Sequence, residues 1–296
     1  MKSKTADKLA TVVFYIIATG FILLLMLFVG YIIYQGRDRL NLHFITSAPT
    51  FMKEGGGIGP QLFNSLYLVF LSMLITVPIG LSAGIYLAEY AKPGRITNMV
   101  RFCIEALASL PSIVIGLFGL LVFVTMTGWG YTLFSGALAV AVLNLPVITR
   151  ISEDAIRNVP QTVKEASLAL GATHWQTIYR VILPTALPGL VTGLIMTSGR
   201  VFGEAAALLY TAGMSSPNLN FHDLNPFHAR SPLNPFRPAE TLAVYIWKVN
   251  SEGLAPDSRQ IADGASSILI ISVFLFNIIS RFLGRVLNVR FSGSKN

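Results

Sequence analysis

Five stretches of this chain carry no charged residue: Leu9–Gly36, Gly55–Ala88, Ala106–Thr149, Val181–Gly199 and Gly264–Ser280. A helix that crosses a bilayer needs about 20 apolar residues, so these runs restrict the fold to one that uses lipid as solvent. The third run is too long for one helix. It breaks at Thr127–Gly128–Trp129–Gly130, a turn signal with an interfacial aromatic. Six spans are expected, over 10–34, 62–88, 104–126, 132–150, 186–211 and 265–284. The runs are apolar throughout, whereas strands of a membrane barrel alternate apolar and polar residues. Helices satisfy their own backbone groups in lipid. The expected class is therefore an all-α polytopic membrane protein. Composition agrees: 12% of the 296 residues are charged, about half of what a soluble domain carries.

A formal charge of +8 raises the question of nucleic acid, and its distribution answers it. With Lys2, Lys4 and Lys8 placed inside, the same side receives Lys92, Arg95, Arg101, Arg150, Arg157, Lys164, Arg180, Arg281, Arg285, Arg290 and Lys295. The opposite side receives Arg37, Arg39, Lys53, Arg230, Arg237, Lys248 and Arg259. Fourteen against seven, with the longer loops on the poorer side, is the positive-inside asymmetry. Both termini are expected in the cytoplasm, and nucleic acid is not expected as a partner. The first apolar run exceeds the core of a signal peptide, so it is expected to remain as span one. The single Cys103 excludes an internal disulfide and reads as a small residue near the inner interface.

Three connections stand out. The outer loop 35–60 holds the flexible stretch Gly55–Pro60. The outer loop 213–262 is rich in proline, with a short helix expected over Thr241–Val249. The cytoplasmic segment 151–184 lies between spans four and five. Gly80 with Gly84, Gly189 with Gly193 and Gly199 with Gly203 recur at the four-residue spacing that lets helices approach closely in lipid. Packing within this chain is the expected use, and packing against a second subunit the alternative.

In the cytoplasmic segment, Pro160 suits a first helical turn and 161–170 are good helix formers. Gly171 suits a left-handed helix terminus. Thr173 with Gln176 makes a capping box for a second short helix, which Pro184 is expected to close. The result is a helix–turn–helix bracket that exposes Ala166, Leu168, Ala169 and Leu170. Two readings are open on these residues: a tip that enters a partner's groove, or an amphipathic loop resting on its own helix ends.

Glu165-Ala166-Ser167, then Gly171, Val181, Leu183 and Pro184, resemble the "EAA" signature of binding-protein-dependent ABC importer permeases, departing from it at Ser167 and Val181. Leu107–Gly119, Gly84–Tyr90, Gly203–Ala206 and the outer stretch Asn234–Leu242 resemble the PstA-type phosphate permease family. That family has Thr and Pro where this chain has Ala205 and Ala206, which loosens the assignment of the anion. The resemblance implies a type I ABC importer permease fold in the bacterial inner membrane. It covers a core over 61–290 preceded by a first helix and outer loop over 1–60. It further implies coupling to an ATPase through Glu165, Ala166, Leu170, Gly171 and Pro184. The implied partners are a PstC-type second permease, a PstB-type ATP-binding dimer and a PstS-type phosphate-binding protein, besides membrane lipid. ATP would be bound by the partner, since no Gly-x-x-x-x-Gly-Lys-Ser/Thr loop is present here, and no cofactor is expected on this chain. Phosphonate, sulfate or molybdate in place of phosphate is the near alternative. A passive channel is the remote one.

Arg200 lies about 24 Å of helix beyond Pro184, well inside span five. An intramembrane arginine is costly and marks function by default. Its fork suits phosphate or sulfate. Glu204, four residues on, is expected on the same face, where the pair could instead only fix packing. Arg150, Glu153, Asp154 and Arg157 share a face at the inner end of span four, expected as a solvated ion-pair ladder. As the alternative, Arg150 and Glu153 form part of an inner gate. Gly80-Leu81-Ser82-Ala83-Gly84 matches a hydrolase pattern, but it lies inside a span and every histidine falls in a loop, so no enzyme is expected.

Overall fold

The computed structural model describes residues 2–50, 54–253 and 256–292. Lys53 and Lys295, counted above for orientation, lie outside them. Among the described residues the chain is helical, without strands. Five helices among these residues are long and apolar enough to cross a membrane, or six if one bent pair counts as a span. Helix α1 (Lys2–Gly36) lies along the outside against the last helix, where the Ser267 hydroxyl donates to the Ile32 carbonyl at 2.8 Å. A short turn, α2 (Leu42–Thr46), leads to α3 (Gly59–Ile85), whose final turn widens into a π turn over Tyr86–Tyr90.

The third expected span is not a single helix. α4 (Arg95–Ala108) and α5 (Ser112–Gly119, continued as a π turn over Leu120–Met126) meet at a 94° bend. Pro111 explains the break: it has no N–H to donate and disfavours helical backbone in Leu110. No residue of α4 is buried, and Ile96, Met99 and Phe102 are exposed beside Arg95, Arg101 and Glu105. That is the composition of an interfacial helix. Residues 112–126 reach only about 22 Å, short of the ~30 Å hydrocarbon core.

The core is the packing of α3, α6 (Leu133–Arg157) and α9 (Leu183–Phe202). A side chain at Gly80 would come within 2.7 Å of Ile148 Cγ2, and one at Gly84 within 2.9 Å of the Glu153 backbone N. At Gly193 it would meet Ile151. These glycines therefore serve packing within the chain. Gly199 instead faces Asn277 of α12 (Ser258–Ser292).

Between α6 and α9 come α7 (Gln161–Ala169) and α8 (His174–Thr177). α8 does not end at Pro184. A π turn over Ile178–Ile182 joins it to α9, and Pro184 sits in the first turn of α9. The wider turn makes room for the proline ring. Span five also stops earlier than expected, at Phe202, and a separate turn, α10 (Ala206–Leu209), follows.

At the end of the bundle away from the bracket, the expected short helix is α11 (Leu242–Glu252). It packs with Phe44, Ile58, Ile261, Ala265 and Ile268. Buried Arg237 donates to the carbonyls of Ser231 and Pro232 and to Asn64 Oδ1, with no carboxylate bonded to it among the described residues. Burial lowers its pKa to about 10.

Candidate functional site: the bracket and its charged neighbours

The bracket forms because each local signal agrees with its geometry. α7 ends at Ala169 with Leu170 as its cap, and Gly171 follows at φ +85°, a left-handed conformation that residues with a Cβ rarely adopt. Gly171 N donates to the Leu168 carbonyl at 2.9 Å and Ala172 N to that of Ser167 at 3.3 Å. The capping box is present in both directions: Gln176 N donates to Thr173 Oγ1 at 3.3 Å, and Thr173 N to Gln176 Oε1 at 2.9 Å. The hydroxyls of Ser167 and Thr177, 3.0 Å apart, join α7 to α8.

One side of this unit is anchored. Val159, Ile178, Ile182 and Ala186 are buried with Ile156 and Leu190, and Leu81, Ile85 and Ala88 of α3 and its π turn pack against them. The other side is open. Glu165, Ala166, Leu168 and Ala169 are exposed, and Leu170 is 89% exposed. Trp175 and Tyr179 are exposed as well. The bracket thus rests on the helix ends by one side, and its apolar tip is left uncovered by this chain. Glu165, Ala166, Leu170 and Gly171 therefore come together at the tip, while Pro184 stands apart at the base of α9.

The four charges at the end of α6 are not one solvated ladder. Glu153 is 4% exposed and turned inward. It accepts from Arg101 Nη2 at 2.8 Å and Nε at 2.9 Å, and Arg157 Nε lies 3.1 Å away. Arg150 faces outward and pairs with Glu105 of α4 and with Asp154 at 3.4 Å. The physical reason is crossing geometry: α4 lies across α6 and offers Arg101 to one side and Glu105 to the other. Sequence spacing within α6 carries no trace of α4, so Arg101 and Glu105 were legible only as charges near a span end. The same holds for Glu89, which pairs with Lys164 of α7.

Arg200 and Glu204 are not brought together as an i, i+4 pair. The helix ends at Phe202, and the Glu204 carboxylate turns to accept from Ala207 N at 3.2 Å, starting α10. Arg200 is exposed. Ser82 of the hydrolase-like pattern donates to the Pro78 carbonyl within α3.

Residues 77–293 match the family described as the binding-protein-dependent transport system inner membrane component. The chain belongs to this family. It is accordingly a multi-pass permease component of the inner membrane. The permease is 54% identical over 287 residues to the probable ABC transporter permease protein YqgI of Bacillus subtilis, covering 97% of this chain and 98% of that one. It is 31% identical over 254 residues to the phosphate transport system permease protein PstA of Haemophilus influenzae, covering 84% and 83%. Among solved structures, the inward-facing MetNI methionine ABC transporter matches with a TM-score of 0.59 at 22% identity, over 77% of this permease and 94% of that chain. That match establishes the importer-permease fold.

Proposed function

We propose that this permease is a transmembrane subunit of an ATP-driven importer for inorganic phosphate. The bracket end faces the cytoplasm with both termini, and the bracket receives a separate PstB-type ATPase dimer. A PstC-type permease completes the path, and a PstS-type binding protein delivers the anion. The observation that carries the coupling half is the bracket tip: Leu168 and Leu170 are exposed just before the left-handed Gly171, in a turn closed by the Gly171 N and Ala172 N hydrogen bonds. An exposed apolar knob of that kind suits a partner's groove. The phosphate half is supported by similarity to PstA over most of the chain. Arg200, turned out of this subunit's core, would meet the anion in the space shared with the second permease. Glu204, Arg150 and Glu153 would then contribute to holding and gating that path.

The test is uptake of labelled phosphate by the reconstituted complex, with sulfate, molybdate and phosphonate as competitors. Phosphate is expected to be taken up only with ATP, and competitors in equal amount to leave most of that uptake in place. Uptake that persists without this subunit would refute the assignment. A Gly171→Trp variant is expected to reduce the ATPase retained on purification. Unchanged retention would refute the docking role of the bracket.

A further inference from the structure

The hidden side of the bracket holds a charged joint. Glu89 lies in the π turn that ends α3, and its side chain is 8% exposed. Oε1 accepts from Lys164 Nζ on α7, and Oε2 lies 3.5 Å from His174 Nε2 on α8. The Tyr90 ring meets the His174 ring edge-on, with centroids 5.0 Å apart. A carboxylate is unfavourable here on two counts. Burial strips its hydration, and the carboxyl end of a helix carries the negative end of the backbone dipole. Packing alone would be served better by an uncharged residue. What the carboxylate adds is a directional bond to α7 through Lys164, 75 residues away in sequence, and a close polar contact with His174 of α8, both from a third helix.

That third helix reaches the other end of the bundle. α3 spans about 40 Å at 1.5 Å per residue. At its far end Gln61 Nε2 donates to Glu240 Oε2 at 2.8 Å, and Asn64 accepts from Arg237. Between the two ends, Gly80 and Gly84 seat α3 directly on the backbone of α6. A displacement of the bracket thus has one continuous helix to act on, gripped at Glu89 and joined at its other end to the long loop.

We propose that Glu89 is a positioning residue for transport: through Lys164 and His174 it makes α3 follow the bracket when the ATPase moves it. This rests on the docking role proposed for the bracket. Glu89 takes no part in holding the ATPase, and its function is to pass the movement on.

The experiment uses the full complex in liposomes, with Glu89→Gln, Lys164→Met and the exchange pair Glu89→Lys with Lys164→Glu. Two readouts are taken: phosphate imported per ATP hydrolysed, and ATP-dependent labelling of a cysteine introduced at Phe63, a partly exposed residue at the far end of α3 between Gln61 and Asn64, in a Cys103→Ser background. The second is independent of which anion is carried. The single variants are expected to keep the ATPase subunit and its hydrolysis while import per ATP falls about tenfold, within the range usual for coupling between sites. The ATP-dependent change at position 63 should disappear in the single variants and return in the exchange pair. Import per ATP at the wild-type level in Glu89→Gln, with labelling at 63 still responsive, would overturn the proposal. So would loss of the ATPase subunit in both single variants without recovery in the exchange pair, because Glu89 would then be only structural. Gly171→Trp, run alongside, separates the two ideas: if it retains the ATPase, the docking reading fails whatever Glu89 does.

Discussion

Gly84→Ala tests the seating of α3 on α6, on which both the bracket's attachment and the position of Glu153 depend. A Cβ at residue 84 would lie against Ser152 Cβ, 2.9 Å from the Glu153 N and 3.0 Å from the Thr149 carbonyl oxygen. Two of these three neighbours are backbone atoms of α6, which no rotamer change can move aside. Overpacking costs about 1–3 kcal/mol, and the upper half of that range applies where backbone must shift. Alanine returns about 1 kcal/mol of helix propensity. The net expectation is a loss of about 1–2 kcal/mol. At roughly 2–4 °C per kcal/mol for a chain of this order, thermal unfolding in detergent should fall by several degrees. Gly20→Ala is the control: nothing lies within 4 Å of its added Cβ, so no loss is expected. A Gly84→Ala protein that unfolds at or above the temperature of Gly20→Ala would refute close contact of α3 with α6 at this point.

Two further outcomes follow from the charged groups. Arg101→Ala leaves buried Glu153 with Arg157 alone and removes one of the ion pairs that join α4 to α6, with Glu105–Arg150 still in place. Hydrogen exchange of the amides in 95–108 should rise by about tenfold or more, as removal of one partner of a buried pair implies, while α9 is unaffected. Equal protection in both proteins would refute the tie. Burial pushes the Glu240 carboxyl above its ordinary value of 4.5, opposed by its bonds to Gln61 and Lys248. As pH rises from 4.5 towards the raised folded value, the unfolded chain releases this proton first, so the folded state loses stability across that window. The stability of the wild type relative to Glu240→Gln should therefore increase on acidification through the window. The opposite slope would refute the effect of burial.

Much of the bracket was legible in the sequence because its determinants are local. Gly171 in a left-handed turn, the Thr173–Gln176 capping box and the helix over 161–169 each depend on neighbours within a few residues. The apolar runs located the spans for a similar reason, since a helix in lipid must satisfy its own backbone. Pro184 was misread as a stop because a proline ends a regular α-helix, whereas a π turn ahead of it lets the helix continue. The missed signal at Pro111 was of the same local kind: it stood inside an apolar run whose length suggested one helix.

The charges behaved differently. Arg200 and Glu204 have the spacing of a helical pair, but the helix ends between them and Glu204 is taken by Ala207 N. Glu153 has the spacing of a surface ladder, yet it is buried because α4 crosses over it. Glu89 joins Lys164 across 75 residues of chain. By itself the sequence determined the lipid-embedded helical class, most span positions and the shape of the bracket. Only the tertiary structure decided which charges meet, because a pairing between helices is set by crossing angle and depth, and neither leaves a periodic mark along one chain.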